Sequence, residues 1–216
     1  MYSVKEVFYS LQGEGAHAGR PAIFCRFTGC NLWSGLEKNR DSAECQFCDT
    51  DFIGVNGQNG GKFKTAQDLA QHLDQFWPPN TNHKYIIFTG GEPALQLDEK
   101  LVDAMKSKQY EIAIETNGTL PLPANIDWIC VSPKTLGPLV VDQGHELKLV
   151  YPQDRLTPDL FTHLSFQHFY LQPMDQSHLP SNRIAPESTT KMTLDYCLQN
   201  PRWRLSLQTH KMLGID

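Results

Sequence analysis

Cys30, Cys45 and Cys48 stand in one polar stretch, GCNLWSGLEKNRDSAECQFCDTDF (residues 29–52), with fourteen residues between the first two thiols and two between the last two. Three kinds of chemistry compete for such a set. Structural zinc wants a fourth ligand such as His17 or His72, and neither sits at a finger-like spacing. A redox Cys-x-x-Cys pair normally opens the first helix of a thioredoxin-like unit; here the pair follows the second strand-like run, and Cys30 would be left without a purpose. An iron–sulfur cluster with three protein thiolates leaves one iron open to bind something else, which is what an odd count suits. Cys25 and Cys130 lie in strand-like runs and Cys197 in a helical one, and these read as small buried hydrophobes.

The elements that must position these thiols alternate between short apolar runs and segments of helical period, the pattern of βα units around a mostly parallel sheet. Strands are expected at 4–10, 22–28, 84–89, 110–116, 128–132, 147–151, 168–172 and 203–208. Helices are expected at 65–77, with Thr65 and Asp68 as a capping box, at 95–108, and at 186–199. The Gly- and Asn-rich segment 54–63 reads as a loop. Polar or Gly/Pro clusters follow five of the strands: TGGEP, ETNG, SPK, QPMD and QTH. In parallel α/β folds those strand ends share one face, where ligands bind, so five tips in register point to a single site.

A chain of 216 residues can bury one sizeable core, and one domain spanning 1–216 is the expectation, with 29–52 as its thiol-bearing loop. No apolar run approaches the ~18 residues of a membrane span, and the N-terminus lacks a basic region leading into an apolar one. A reducing cytoplasmic setting is therefore expected, where grouped cysteines bind metal more often than they form disulfides. The net charge of −5 gives no general attraction to nucleic acid or anionic membranes, so a small substrate is the simpler expectation.

Taken together and in order, SLQGEG, the Cx14CxxC set, CDT, TGGEP, ETNG, SPK and QPMD resemble the 7-carboxy-7-deazaguanine synthases, radical S-adenosylmethionine (SAM) enzymes of queuosine and 7-deazapurine biosynthesis. The usual superfamily spacing is CxxxCxxC; an expanded first spacing occurs within the synthases, so the departure favours the narrower assignment. The resemblance implies a shortened or modified (β/α) partial barrel with a cluster-binding insertion. It implies a 4Fe-4S cluster on Cys30, Cys45 and Cys48 whose open iron is chelated by SAM, and one-electron cleavage of SAM to a 5′-deoxyadenosyl radical. SAM contacts carried over are Phe47, Cys48, Asp49, Gly91, Glu92, Glu115, Asn117, Ser132, Pro133, Lys134, Gln172, Pro173, Met174 and Asp175.

The implied reaction is contraction of 6-carboxy-5,6,7,8-tetrahydropterin to 7-carboxy-7-deazaguanine with loss of ammonia, which makes the protein a carbon–nitrogen lyase. Leu11, Gln12, Gly13, Glu14, Thr89, His210 and the terminal Asp216 carry over as substrate contacts. Arg26, alone in the otherwise apolar AIFCRFT, is the natural bidentate clamp for the substrate carboxylate, with a merely exposed strand-face arginine as the alternative. Mg²⁺ is implied at Thr50, along with a one-electron donor of flavodoxin or ferredoxin type and a homodimer. The competing readings are a glycyl-radical enzyme activase, which usually keeps CxxxCxxC, and a non-enzymatic zinc-binding module.

Overall fold

The structure, a computed structural model, describes residues 1–177, 184–185 and 187–215. These residues form a nine-stranded sheet in the order β3-β1-β2-β4-β5-β6-β7-β8-β9. The strands are β1 (Tyr2–Leu11), β2 (Pro21–Phe27), β3 (Gly61–Phe63), β4 (Tyr85–Gly90), β5 (Glu111–Thr116), β6 (Trp128–Val131), β7 (Gln143–Tyr151), β8 (Ser165–Pro173) and β9 (Trp203–Leu205). From β2 through β4 to β9 every pairing is parallel, while β1 runs antiparallel to both β2 and β3. The sheet is not closed: β3 and β9 are its edges. It is therefore the expected partial barrel.

Helices α1 (Ala66–Asp74), α2 (Glu99–Ser107) and α3 (Thr189–Gln199) occupy only some of the crossovers, and the short α4 (Thr209–Leu213) follows β9. No α-helix stands between β5 and β8 among the described residues. This is how the chain fits a barrel-like sheet into fewer residues than the ~250 of eight full units. The run Tyr85–Phe88 in β4 is buried throughout because helices cover one face and the barrel interior the other. Two apolar clusters result, one under α1 and α2 around β1 to β5, the other around β7, β8 and Trp203 of β9.

All eight expected strands form, although the last, expected at 203–208, stops at Leu205, and other differences have local causes. Helix α1 has the capping box, with Thr65 Oγ1 accepting from Asp68 N–H and Asp68 from Thr65 N–H, both at 3.1 Å. It stops at Asp74 rather than 77 because the next amides bond back one residue short, to His72 and Leu73, ahead of Pro78. The helix expected at 95–108 is two pieces: a 3-10 turn at Pro93–Leu95, then α2, which Asp98 caps through Leu101 N–H at 3.0 Å. Helix α3 begins at Thr189 with Ser188 as its cap, and Pro186, the first residue of the predicted span, lies outside the described residues. Strand β3 sits in the segment read as a loop; its three residues are too few to show alternation, and pairing with Tyr2–Val4 makes it a strand.

Candidate active site

A cavity of about 570 Å³ opens at the C-terminal ends of the parallel strands and runs down into the barrel. This is a volume suited to small-molecule ligands. Its rim carries the three cysteines. Cys30, Cys45 and Cys48 all line it, although no three His, Cys, Asp or Glu side chains among the described residues converge on the position of one ion. The Cys45 thiol donates to Cys48, which pushes Cys48 down to about 6 and Cys45 up, while burial raises Cys30. His17 and His72 lie elsewhere, bonded to the Tyr85 hydroxyl and the Asn59 carbonyl, both at 2.8 Å. Cys25 and Cys130 are buried and Cys197 packs against the second apolar cluster, as their runs suggested.

The fourteen-residue insertion folds around one side chain. Arg40, 6% exposed, lies in a 3-10 turn (Glu37–Ser42) with its guanidinium 4.2 Å from the centre of the Trp33 ring. It donates to the carbonyls of Gln46 and Cys48 at 3.1 and 3.0 Å and pairs with Glu37. Arg40 thus fixes the backbone on which two of the cysteines ride. Asn31 and Glu44 pin the same loop to the barrel through Thr119 Oγ1 at 2.8 Å and Thr135 Oγ1 at 2.7 Å. No periodicity marks such contacts, and Arg40 was not singled out from the sequence.

The five strand tips converge as expected. Gly91, Glu115, Asn117, Ser132, Lys134, Gln172, Pro173, Met174 and Asp175 line the cavity, as do Phe47, Asp49 and Thr50 from the cysteine loop. Gly91 is required by the protein itself: a Cβ there would lie 2.2 Å from the Gly29 carbonyl oxygen and 2.9 Å from Cys30 Cβ. Asn117 Nδ2 donates to Asn31 beside Cys30, at 2.9 Å, and Lys134 Nζ stands 5.1 Å from the Phe47 ring centre. Gln172 lines the cavity, is 8% exposed, and its buried Oε1 has no hydrogen-bond partner.

Glu92 and Pro133 differ from the other carried-over residues. Both are buried and neither lines the cavity. The Glu92 carboxylate is wholly enclosed and accepts from the Thr116 hydroxyl and Asn117 N–H at 2.7 Å and from Ala94 N–H at 2.9 Å. Three protein donors make it a tie between the β4 and β5 tips and take up most of its acceptor capacity.

The floor is built differently. The turn after β1 crosses the barrel interior, bringing Leu11, Gln12, Gly13 and Glu14 into the cavity beside Arg26 of β2, Thr89 of β4 and His210 of α4. Parallel register sets Arg26 next to Thr89. Arg26 is not on an outer face: it lines the cavity, and its Nε donates to Glu6 at 2.7 Å, a donor that a clamp through both terminal nitrogens leaves spare. Gly13 packs so close to the His210 ring that a Cβ would fall 2.1 Å from Nδ1, and its carbonyl accepts from Thr209 at 2.9 and 3.0 Å. Asp216 lies outside the described residues.

Two cationic cavity residues were missed from the sequence. Lys148 of β7 contacts the Glu14 carboxylate and lies 3.4 Å from Glu115, whose Oε1 also accepts from Gln12 at 2.8 Å. It is a lone cation inside the apolar run LKLVY, the same signal that singled out Arg26. Lys211 of α4 bridges Asp49, at 2.8 Å, and Asp175, and holds Asp175 below the usual carboxylate range against the upward push of burial. Nothing in the tail QTHKMLGID distinguished Lys211 from a solvated lysine.

Comparison with known proteins matches this geometry. The Radical SAM superfamily model covers residues 39–145, which takes in Cys45, Cys48 and the first three tips and leaves out Cys30. The 7-carboxy-7-deazaguanine synthases of Bordetella pertussis and Burkholderia multivorans are 56% and 55% identical over 214 residues, covering 99% of this chain and of each relative. That of Haemophilus influenzae is 32% identical over 226 residues, covering all of this chain and 94% of the relative. The crystal structure of QueE from Escherichia coli superposes with a TM-score of 0.67 at 24% identity, over 95% of this chain and 93% of that one, and so shares its fold. Full-length identity above one half, together with a cavity that gathers three cysteines and five strand tips, settles the kinship: the chain belongs to the 7-carboxy-7-deazaguanine synthase family of the radical SAM superfamily.

Proposed function

We propose that this protein is a radical SAM lyase that contracts 6-carboxy-5,6,7,8-tetrahydropterin to 7-carboxy-7-deazaguanine with release of ammonia. The observation that carries the reading is the division of one cavity into a thiol-bearing rim and a charged floor. The rim residues fit the cofactors that membership implies: three thiols lining one cavity, two of them hydrogen-bonded to each other, and a buried amide oxygen without a partner. When bound, the cluster and SAM supply one-electron cleavage and hydrogen-atom abstraction, chemistry that belongs to the cofactor and that the protein aims.

Everything else falls to the chain. Gly91 lets the β4 tip close on the cysteine loop, and Glu92 ties that tip to β5, so that Glu115 and Asn117 face the ribose hydroxyls. Phe47 and Lys134 flank the adenine, with Ser132 and the 172–175 tip completing the SAM site. On the floor, Arg26 clamps the substrate carboxylate, held in aim by Glu6. Glu14 accepts from the N–H edge of the aminopyrimidone, with Leu11, Gln12, Gly13, Thr89, His210 and the Asp216 carboxylate around the ring. Thr50 offers one hydroxyl to Mg²⁺, an ion that wants six oxygens, so substrate oxygens and water supply the rest and appreciable Mg²⁺ binding requires substrate. An external one-electron donor of flavodoxin or ferredoxin type, a homodimer and a cytoplasmic setting complete the reading.

Anaerobic turnover tests it. Protein reconstituted to about four iron per chain, with reductant, SAM and Mg²⁺, is expected to convert 6-carboxytetrahydropterin to 7-carboxy-7-deazaguanine. Cluster-loaded protein that forms none of this product overturns the assignment.

A further inference from the structure

Lys148 has no part in the chemistry described so far, yet it is the buried cation of the floor. It is 4% exposed and reaches inward from β7. Its ammonium contacts Glu14 Oε2 and stands 3.4 Å from Glu115 Oε1. Glu14 Oε1 accepts from Gln208 Nε2 at 2.9 Å, and Glu115 from Gln12. A third carboxylate, Glu146, lies on the same strand and accepts from Ala16 N–H at 2.9 Å, with the Cys130 thiol 3.5 Å away. His210 of α4 lines the same cavity as Glu14. Three carboxylates around one buried lysine, Glu146 enclosed and Glu14 and Glu115 partly so, cannot all keep their charge without compensation.

We propose that Lys148 is a positioning residue that keeps Glu14 an anionic double acceptor for the two adjacent N–H donors of the substrate's aminopyrimidone edge. This rests on the pterin reading above. Burial by itself raises Glu14, but Lys148, helped by Gln208 and His210, brings it down to about 2, and the carboxylates in turn raise Lys148 well above its ordinary range despite burial. Glu146 goes the other way, raised by its burial. The sign follows. Glu14, lowered in the fold, keeps its pairing above its ordinary value of 4.5 and loses it as pH falls toward 2. Lys148, raised, keeps its own until pH passes above its ordinary 10.5. Between these limits Glu14 stays anionic, and substrate KM is flat in this group's titration.

Replacing Lys148 with methionine leaves Glu14, its side chain only 12% exposed, without its cation, and such a carboxylate takes up a proton. A protonated Glu14 presents one donor and one acceptor to an edge with two donors. The test uses cluster-loaded Lys148→Met, with Lys148→Gln as the alternative if the methionine variant does not fold, and Lys148→Arg as the charge-retaining control. At pH 7 the KM for 6-carboxytetrahydropterin is expected to rise about 10- to 100-fold, as for loss of a charged hydrogen bond, and to fall again as pH is raised. SAM binding should stay within about threefold, since Glu115 keeps its Gln12 donor, and the arginine variant should restore a flat profile.

A second arm needs no turnover. The infrared difference spectrum of the methionine variant against wild type should show a protonated-carboxyl band that disappears when Glu14→Gln is added. Absence of that band, or a KM profile as flat as wild type, overturns the role of Lys148. Failure of the wild-type protein to turn over the pterin overturns the substrate reading and leaves the infrared result to decide the lysine's effect on Glu14.

Discussion

The rim and the floor of the cavity are built on opposite plans. At the rim, polar groups sit on turns, and much of the holding is by backbone and loop: Arg40 grips the carbonyls of Gln46 and Cys48, Glu92 gathers the β4 and β5 tips, and the cysteines bond to backbone of their own loop. On the floor the functional groups ride on strands or cross the barrel, and opposite charges that are buried or partly buried hold one another. The rim is thus organised to receive a group the chain does not supply, while the floor is organised before any ligand arrives. Mutations should separate the two: rim ligands ought to matter for function far more than for folding, and floor charges for both.

The largest effect belongs to the thiols. Cys45→Ser is expected to abolish iron incorporation and turnover while moving the melting temperature of the metal-free protein by less than about 4 °C, the shift of roughly 1 kcal/mol in a chain of this size. Iron quantitation and thermal denaturation check it. A metal-free melting point that collapses would show the rim to be preorganised like the floor.

On the floor, Arg26→Lys keeps the charge and loses the planar fork. A decline in kcat/KM of about 10- to 100-fold is expected, the weight of a charge-assisted hydrogen bond of about 1.5–3 kcal/mol, with Glu6 left partly unpaired. Steady-state kinetics decide; an unchanged kcat/KM removes Arg26 as the carboxylate clamp. Between the two plans stands Arg40, a buried charge serving the rim. Arg40→Ala leaves two carbonyls without their donor and uncovers Trp33, for a loss of about 1–3 kcal/mol. Because Glu37 is largely exposed and can be rehydrated, the loss should stay below the 3–5 kcal/mol of a wholly buried pair. Reconstitution should then yield substoichiometric iron, and full iron loading would sever Arg40 from the cluster site.

The same division explains what could be read in the sequence. Strands were legible because each buries a continuous or alternating apolar run, as Tyr85–Phe88 and Glu111–Thr116 do, and their tips because Gly, Pro and Asn punctuate them. Arg26 was legible as a cation in an apolar strand, and Lys148 obeyed the same rule without being noticed. What stayed hidden depends on contacts distant in sequence: Glu92 is claimed by residues some 25 positions on, Lys148 reaches Glu14 across 134, and β3 exists only through its pairing with β1. The resemblance of motifs named Glu92, but it could not say that Thr116 and Asn117 of the next strand tip would bind it.

The smallest expected effect tests whether the rim has a charged latch of its own. Lys211 joins Asp49, next to Cys48, to Asp175 on the β8 tip, and so spans the cavity mouth between the cysteine loop and the barrel. In outline this copies Lys148, one ammonium between two carboxylates, but its side chain is 41% exposed where that of Lys148 is 5%. Water and salt therefore compete for it, and such pairs contribute at most about 1 kcal/mol. Lys211→Met should lower the melting temperature by less than about 4 °C, and raised ionic strength should shrink the difference from wild type, because exposed charges are screened and buried ones hardly so. The Lys148 variants should show no such salt dependence. If Lys211→Met costs as much as Lys148→Met and is indifferent to salt, the rim is held by buried charge after all, and the contrast between the two halves of the cavity disappears.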